Sequence, residues 1–269
     1  MPKTLDSLEA EIKSLKIQGA RSIALESLKF LRTLSNKKGF GREFDRALKK
    51  LEAARPTAVI AHNILEELKK DKSKKTIDRL VKGLNEFPKR IGDKGYKIIK
   101  NNSTVLTFCH SSEVMGLLRT AKKNKKKFSV IVPETRPLYQ GHRTMSDLKE
   151  MKVPATLIVD SAIASMMKDV DIIIIGSDAM RKEGNVNKIG SLGLSIIANK
   201  FKKKIYVVGD SYKIDNRKKF IIEERPAEEV ANIKGKIKNP AFDVTTWKYI
   251  YRVINEKGIF TPTNALRSR

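Results

Sequence analysis

Apolar residues in the first third of the chain recur at the spacing of a helix. Leu5, Leu8, Ile12 and Leu15 fall three and four positions apart, and Ala24, Leu28, Leu31 and Leu34 repeat the pattern, so each set places one apolar face on a helix. Gly19 separates the two sets, and 36–41 reads as a turn. Further helices are predicted over 43–53, 57–70 and 73–87, and no strand-like alternation occurs before Lys97. Residues 1–100 therefore predict a small helical domain.

Beyond it the periodicity changes. Short β-branched runs occupy 104–109, 128–132, 155–160, 171–176 and 205–209, and amphipathic helices fit between most of them. Ile172, Ile173, Ile174 and Ile175 are apolar on both faces of their run, as in a strand covered by helices on both sides. Strand and helix alternating at this spacing imply right-handed crossovers and an α/β fold with a doubly wound, mainly parallel sheet over 101–269. Ligands bind such sheets beyond the carboxyl ends of the strands, which directs attention to the residues just after each run.

The first run ends in Phe108, Cys109, His110, Ser111 and Ser112, and a helical pattern follows from Glu113 through Leu117, Leu118 and Ala121. A thiol there would lie at the positive end of a helix dipole, which favours thiolate. The competing reading, and the commoner fate of a lone cysteine, is a small buried hydrophobe. Ser111 and Ser112 would cap the helix, with amides able to hold an oxyanion such as phosphate. The fourth run ends in Gly176, Ser177 and Asp178, and Asn185, Val186, Asn187 and Lys188 are expected to open a further helix. A carboxylate ending an isoleucine-rich strand is costly to bury unless paired or functional, and desolvation would raise its pKa, which suits a general acid. Alternatively Asp178 caps the following turn.

The remaining strand ends are less specific. Asp160 reads as the N-cap of a helix over 162–167. Glu134, Thr135, Arg136 and Pro137 form a loop whose arginine pairs with Glu134 or faces a ligand, and Gly209, Asp210, Ser211, Tyr212 and Lys213 place a cation at the same edge. In the helical part, Arg55, Pro56 and Thr57 start a helix whose amides are open to an anion. Together these residues would gather a thiol, a carboxylate, hydroxyl-bearing helix starts and the cations Lys188, Lys213 and Arg55 around one cleft.

Composition narrows the ligand. The 269 residues include 56 Lys and Arg against 30 Asp and Glu, a formal net charge of +26, which invites a nucleic-acid reading. The excess avoids residues 151–200, with 6 basic and 5 acidic groups, where much of the candidate chemistry lies. Aromatic residues are only 6% of the chain, so stacking platforms for bases are scarce, and no dinucleotide fingerprint or phosphate loop occurs. A solvated lysine-rich surface is the simpler reading, and nucleic acid is not the expected partner. One cysteine and 3 histidines leave no multi-cysteine zinc site, and neither metal nor cofactor is expected. No apolar run is long enough for a membrane helix, and the start is not that of a signal peptide, so a cytoplasmic location is expected. A cysteine and an aspartate flanking one carbon skeleton suit proton transfer between adjacent carbons, an aldose-ketose isomerisation of a small phosphorylated sugar.

At these residues the chain resembles a known family, the translation initiation factor 2B alpha/beta/delta-like proteins with their enzyme relatives, methylthioribose-1-phosphate isomerase and archaeal ribose-1,5-bisphosphate isomerase. The resemblance runs from Gln18, Gly19, Ala20 and Arg21 to about Pro262. Its most specific pieces are 107–112, 134–137, 176–178, 187–190 and 211–213. Cys109 and Asp178 match the enzymes' catalytic positions, which regulatory members generally lose. The segments 55–59, 134–137 and 239–245 look like the ribose-bisphosphate branch. The resemblance implies a helical N-terminal domain and a Rossmann-like catalytic domain. It also implies a homo-oligomer, a dimer or a trimer of dimers, with adenosine monophosphate as activator in nucleotide salvage. Cys109 and Asp178 would then convert ribose 1,5-bisphosphate to ribulose 1,5-bisphosphate. Gln18, Gly19, Ala20, Arg21, Arg55, Ser111, Ser112, Asn187, Lys188 and Lys213 would bind the substrate. Gln18 stands where the family usually has arginine, the loop between Asp178 and Asn187 looks one residue short, and 246–249 resembles archaeal 2B-like proteins. These departures sustain a second reading, a non-catalytic regulatory protein that binds initiation factor 2 or a phosphorylated ligand.

Overall fold

The computed structural model describes residues 3–14, 16–17 and 19–268. Leu15 of the first helical set and Gln18 lie outside the described residues. The chain divides into two compact units, Met1–Glu86 and Phe87–Arg269.

The first unit is built from α1 (Leu5–Lys13), α2 (Ala20–Lys38), α3 (Arg42–Ala54), α4 (Val59–Lys70) and the first turns of α5 (Lys74–Gly95). Of the predicted stripes Leu8, Ile12, Ala24, Leu28 and Leu31 are buried, while Leu5 and Leu34 are half-buried; Ile23, Leu48, Ile64 and Leu68 complete the core, each large side chain worth about 1.5–3 kcal/mol relative to exposure. Thr4 starts α1 by accepting a hydrogen bond from Ser7 N at 3.1 Å. The helix expected to start at 57 begins at Val59, with Ala58 at its N-cap position. Arg55 precedes a proline and is extended, at φ −150° and ψ 85°. A turn closed by Ala58 N donating to Arg55 O at 3.0 Å then takes up Pro56 and Thr57 before the helix begins.

The second unit is α/β. In chain order it holds β1 (Ser103–Leu106), α6 (Ser112–Lys123), β2 (Phe128–Pro133), α7 (Gln140–Glu150), β3 (Ala155–Ile158), α8 (Ile163–Met166) and β4 (Ile172–Ile175). There follow β5 (Ala179–Arg181), β6 (Gly184–Lys188), α9 (Ser191–Lys200), β7 (Lys204–Val208), β8 (Phe242–Thr245), β9 (Arg252–Asn255), β10 (Gly258–Phe260) and α10 (Pro262–Leu266). A seven-stranded sheet has the order β10-β9-β7-β4-β1-β2-β3; all its pairings are parallel except β9 with β10. All four residues of β4 are buried, as its two-sided apolar run requires. The five predicted β-branched runs are the five strands at the centre and one edge of this sheet.

Two elements depart from expectation. The helix predicted to end at 87 continues through Pro88 to Gly95. Proline lacks the N–H for the helical bond, but the continuation buries Ile91 and seats Gly92 against α6. Asn185, Val186, Asn187 and Lys188, expected to open a helix, are instead β6, the middle strand of a second, antiparallel sheet β5-β6-β8. The helix starts three residues later, after a left-handed Gly190 at φ +102°. Among the described residues no helix is long and apolar enough to cross a membrane.

Candidate active site

In the large sheet β1 and β4 are neighbours. From β1 the chain winds outward to β2 and β3, and from β4 it winds the other way to β7 and β9. The carboxyl ends of β1 and β4 therefore frame a topological switch point, where connections leave in opposite directions and a crevice opens. Cys109 follows β1 and Asp178 follows β4, so the two residues chosen from strand-end chemistry flank that crevice. Close packing draws the loops together. A side chain at Gly176 would place its Cβ 2.8 Å from Ser111 Cβ and 3.8 Å from Asn187 Oδ1, and one at Gly209 would sit 3.2 Å from Ser177 Cβ and 3.0 Å from Lys213 Cδ.

Cys109 is held in a backbone conformation that residues with a Cβ rarely adopt, φ +67°. Its N–H donates to Thr135 Oγ1 at 3.1 Å and its carbonyl accepts from Thr144 Oγ1 at 2.9 Å. Thr135 is itself left-handed at φ +61°. Its amide and that of Arg136 donate to the two carboxylate oxygens of Asp160 at 2.8 and 2.7 Å. Asp160 thus caps no helix, contrary to expectation: its oxygens brace the loop that braces Cys109. Strain of this kind persists only where the surroundings over-determine it. The Arg136 guanidinium donates to Val230 O at 2.7 Å and to Tyr139 Oη at 2.8 Å, and among the described residues no ion pair joins it to Glu134.

The thiolate expected from the helix dipole is not the resting form. Burial pushes the Cys109 thiol up to about 11, with the Asp178 and Asp160 charges acting in the same direction and Lys188 opposing them. Desolvation thus outweighs the nearby cation and the helix N-terminus. Lys188 is half-buried, with its Nζ 5.6 Å from the centre of the Phe242 ring. Asn187, buried on β6, donates from Nδ2 to Ser191 Oγ at 2.9 Å. Asp243 on β8 accepts from Gly190 N and Leu192 N at 2.7 and 3.0 Å, the anion that a helix start favours.

At the head of α6 the structure adds Glu113, which the sequence pattern places only on a helix. Glu113 is 2% exposed. Its carboxylate accepts from Ser111 Oγ at 2.9 Å, Ser112 Oγ at 3.1 Å and Lys213 Nζ at 3.0 Å. Lys213 is buried, and the charges of Glu113, Asp210 and Asp178 raise its pKa against the opposing effect of burial. Asp210 is pushed up to about 7, first by burial; one of its oxygens accepts from Tyr212 N at 3.0 Å, and Oδ2 has no partner among the described residues. Ser177 Oγ and Asn185 Oδ1 are likewise buried without partners among the described residues. A glutamate directly after two serines at a predicted helix start was the available signal for this cluster.

The other expected binding residues belong to the helical unit. Gly19, at φ +83°, precedes α2, Ala20 and Arg21 begin it, and Arg21 Nε is buried without a partner among the described residues. Arg55 ends α3. That unit also holds Glu52, His62 and Glu66, whose ligand-type atoms lie within 4.8 Å of one another. Lys69 is ion-paired to both carboxylates, so an ammonium already supplies the positive charge there.

The model of the initiation factor 2 subunit family matches residues 16–262. The chain is 35% identical to the ribose 1,5-bisphosphate isomerase of Archaeoglobus fulgidus, over 98% of this chain and 92% of that protein. It is also 35% identical to the methylthioribose-1-phosphate isomerase of Natranaerobius thermophilus, over 91% of this chain and 82% of that protein. The fold is that of the translation initiation factor eIF-2B of Pyrococcus horikoshii, with a TM-score of 0.89 at 24% identity, covering 99% of this chain and all of that one.

Proposed function

This chain belongs to the initiation factor 2 subunit family, and we propose that within it the chain is an enzyme, an intramolecular aldose-ketose isomerase that converts ribose 1,5-bisphosphate to ribulose 1,5-bisphosphate. The observation that carries this reading is the pairing of Cys109 and Asp178 at the ends of adjacent strands on either side of the switch point. Near-full-length similarity to ribose 1,5-bisphosphate isomerases supports the choice of substrate.

The chemistry follows from the groups present. Asp178 gives a proton to the ring oxygen as its bond to C1 breaks, opening a furanose that the anomeric phosphate otherwise locks closed. Cys109, once ionised, takes the proton from C2, and the electron pair forms the C1–C2 double bond of a cis-enediol. The C2 hydroxyl then loses its proton as C1 gains one, which leaves the ketone of the product. Lys188 offsets the negative charge that develops on the oxygens, and it is the nearby cation that opposes burial at Cys109.

The test is a substrate panel of ribose 1,5-bisphosphate and methylthioribose 1-phosphate, each with and without adenosine monophosphate, followed by phosphorus and carbon NMR. Wild type is expected to form ribulose 1,5-bisphosphate. Cys109→Ser and Asp178→Asn should each lower kcat by about 100-fold or more, as loss of a positioned proton-transfer group does. No ribulose bisphosphate from wild type, or a C109S variant as active as wild type, would sink the assignment. Tight association with initiation factor 2 in the absence of turnover would favour the regulatory reading instead.

A further inference from the structure

Glu113 has no part in the proton transfers above, yet its buried carboxylate accepts from three side chains. The donors on its carboxylate, Ser111 Oγ, Ser112 Oγ and Lys213 Nζ at 2.9–3.1 Å, are the set that would cradle a phosphate at a helix N-terminus. The carboxylate is itself on α6, in its first turn, where the dipole favours an anion. The ammonium opposite is also shared: Asp210 and Asp178 act on Lys213 as well, and Glu256, which accepts from Ser211 N and Oγ at 3.1 and 2.6 Å, acts on Asp210. Positive charge at this position is therefore already matched by the protein's own carboxylates. A phosphate dianion arriving there would meet a buried carboxylate in its place.

Resting on the reading that this site takes a phosphorylated sugar, we propose that Glu113 is a specificity-determining residue. Its carboxylate holds the anion position at the head of α6, so the part of the sugar lying there is a hydroxyl-bearing carbon and the phosphates bind elsewhere. That arrangement suits proton removal by the adjacent Cys109, whose target is a carbon that carries a hydroxyl and no phosphate. It also assigns Ser111, Ser112 and Lys213 to holding an internal anion instead of a ligand phosphate.

The experiment compares inorganic phosphate binding, by calorimetry at low salt, for wild type, Glu113→Gln and Glu113→Ser, with circular dichroism to verify folding. Removing the charge is expected to open an additional phosphate position and tighten binding at least tenfold in whichever variant folds. Unchanged or weaker binding in a folded variant overturns the proposal. A crystal of the wild type grown at high phosphate gives the same decision without a variant. Glu113 still on Ser111 and Ser112 supports it, and a phosphate between Ser111, Ser112 and Lys213 with Glu113 turned away overturns it. Absence of isomerase turnover in the wild type counts against the catalytic reading alone, because phosphate binding is measured without it.

Discussion

Cys109 carries the sharpest conflict between a residue's chemistry and its surroundings. The thiolate is the reactive form, but burial, Asp178 and Asp160 hold the thiol near 11, with Lys188 opposing. A thiol that must ionise gains reactive form as pH rises toward its pKa. We therefore expect alkylation of Cys109, the one cysteine of the chain, by iodoacetamide to quicken between pH 7 and 9.5 by up to about tenfold per unit, a rate that reads the thiol apart from the proton Asp178 must keep for turnover. Lys188→Met should move the climb to higher pH and slow alkylation at pH 7.5 by about tenfold, as a rise of about one pKa unit in the thiol would. An alkylation rate that stays flat from pH 7 to 9.5 in stable protein would show that the resting thiol is already ionised. The strand-end positions of Cys109 and Asp178 were legible in the sequence because each lies at the end of a β-branched run. Glu113 was not, because the lysine that completes its set lies 100 positions away in the chain.

Among elements, the crossing of α5 with α6 shows packing overruling propensity. Gly116 lies in the interior of α6, where alanine is favoured over glycine by about 1 kcal/mol in an isolated helix. Here a Cβ at Gly116 would stand 2.6 Å from the backbone carbon of Pro88. Gly116→Ala is thus expected to destabilise the protein by roughly 1–3 kcal/mol, the cost of overpacking, despite the better propensity. Urea unfolding monitored by circular dichroism would measure it, and a stabilised variant would show that the helices part readily. The same crossing explains why α5 passes through Pro88, which local sequence rules read as a boundary. The strand β6 is a comparable case. Asn185 and Asn187 alternate with Val186 in a pattern without strand signal; of the two strands that flank it, β5 is its hairpin neighbour and β8, with Val244 and Asp243, lies more than 50 positions downstream.

For the whole molecule, part of the net charge of +26 now has a location. The lysine runs at 122–127 and 202–204 fall just before β2 and at the start of β7, at the amino ends of strands whose carboxyl ends frame the site. They add a long-range positive field without supplying contacts at the switch point. For a doubly phosphorylated substrate, kcat/KM should fall several-fold between about 20 and 300 mM salt while kcat changes little, as screening removes steering. Equal losses in both would point to charges acting within the site. The sequence by itself determined the alternation of helix and strand, the parallel central strands and the strand ends on which chemistry could sit. These follow from local periodicity, and the backbone reads local periodicity directly. Only the tertiary structure decided that β1 and β4 lie side by side, that Asp160 braces the Cys109 loop, that burial protonates the thiol and that Glu113 fills the anion position. Each of these depends on which distant segments share one low-dielectric interior, and that is a property of packing.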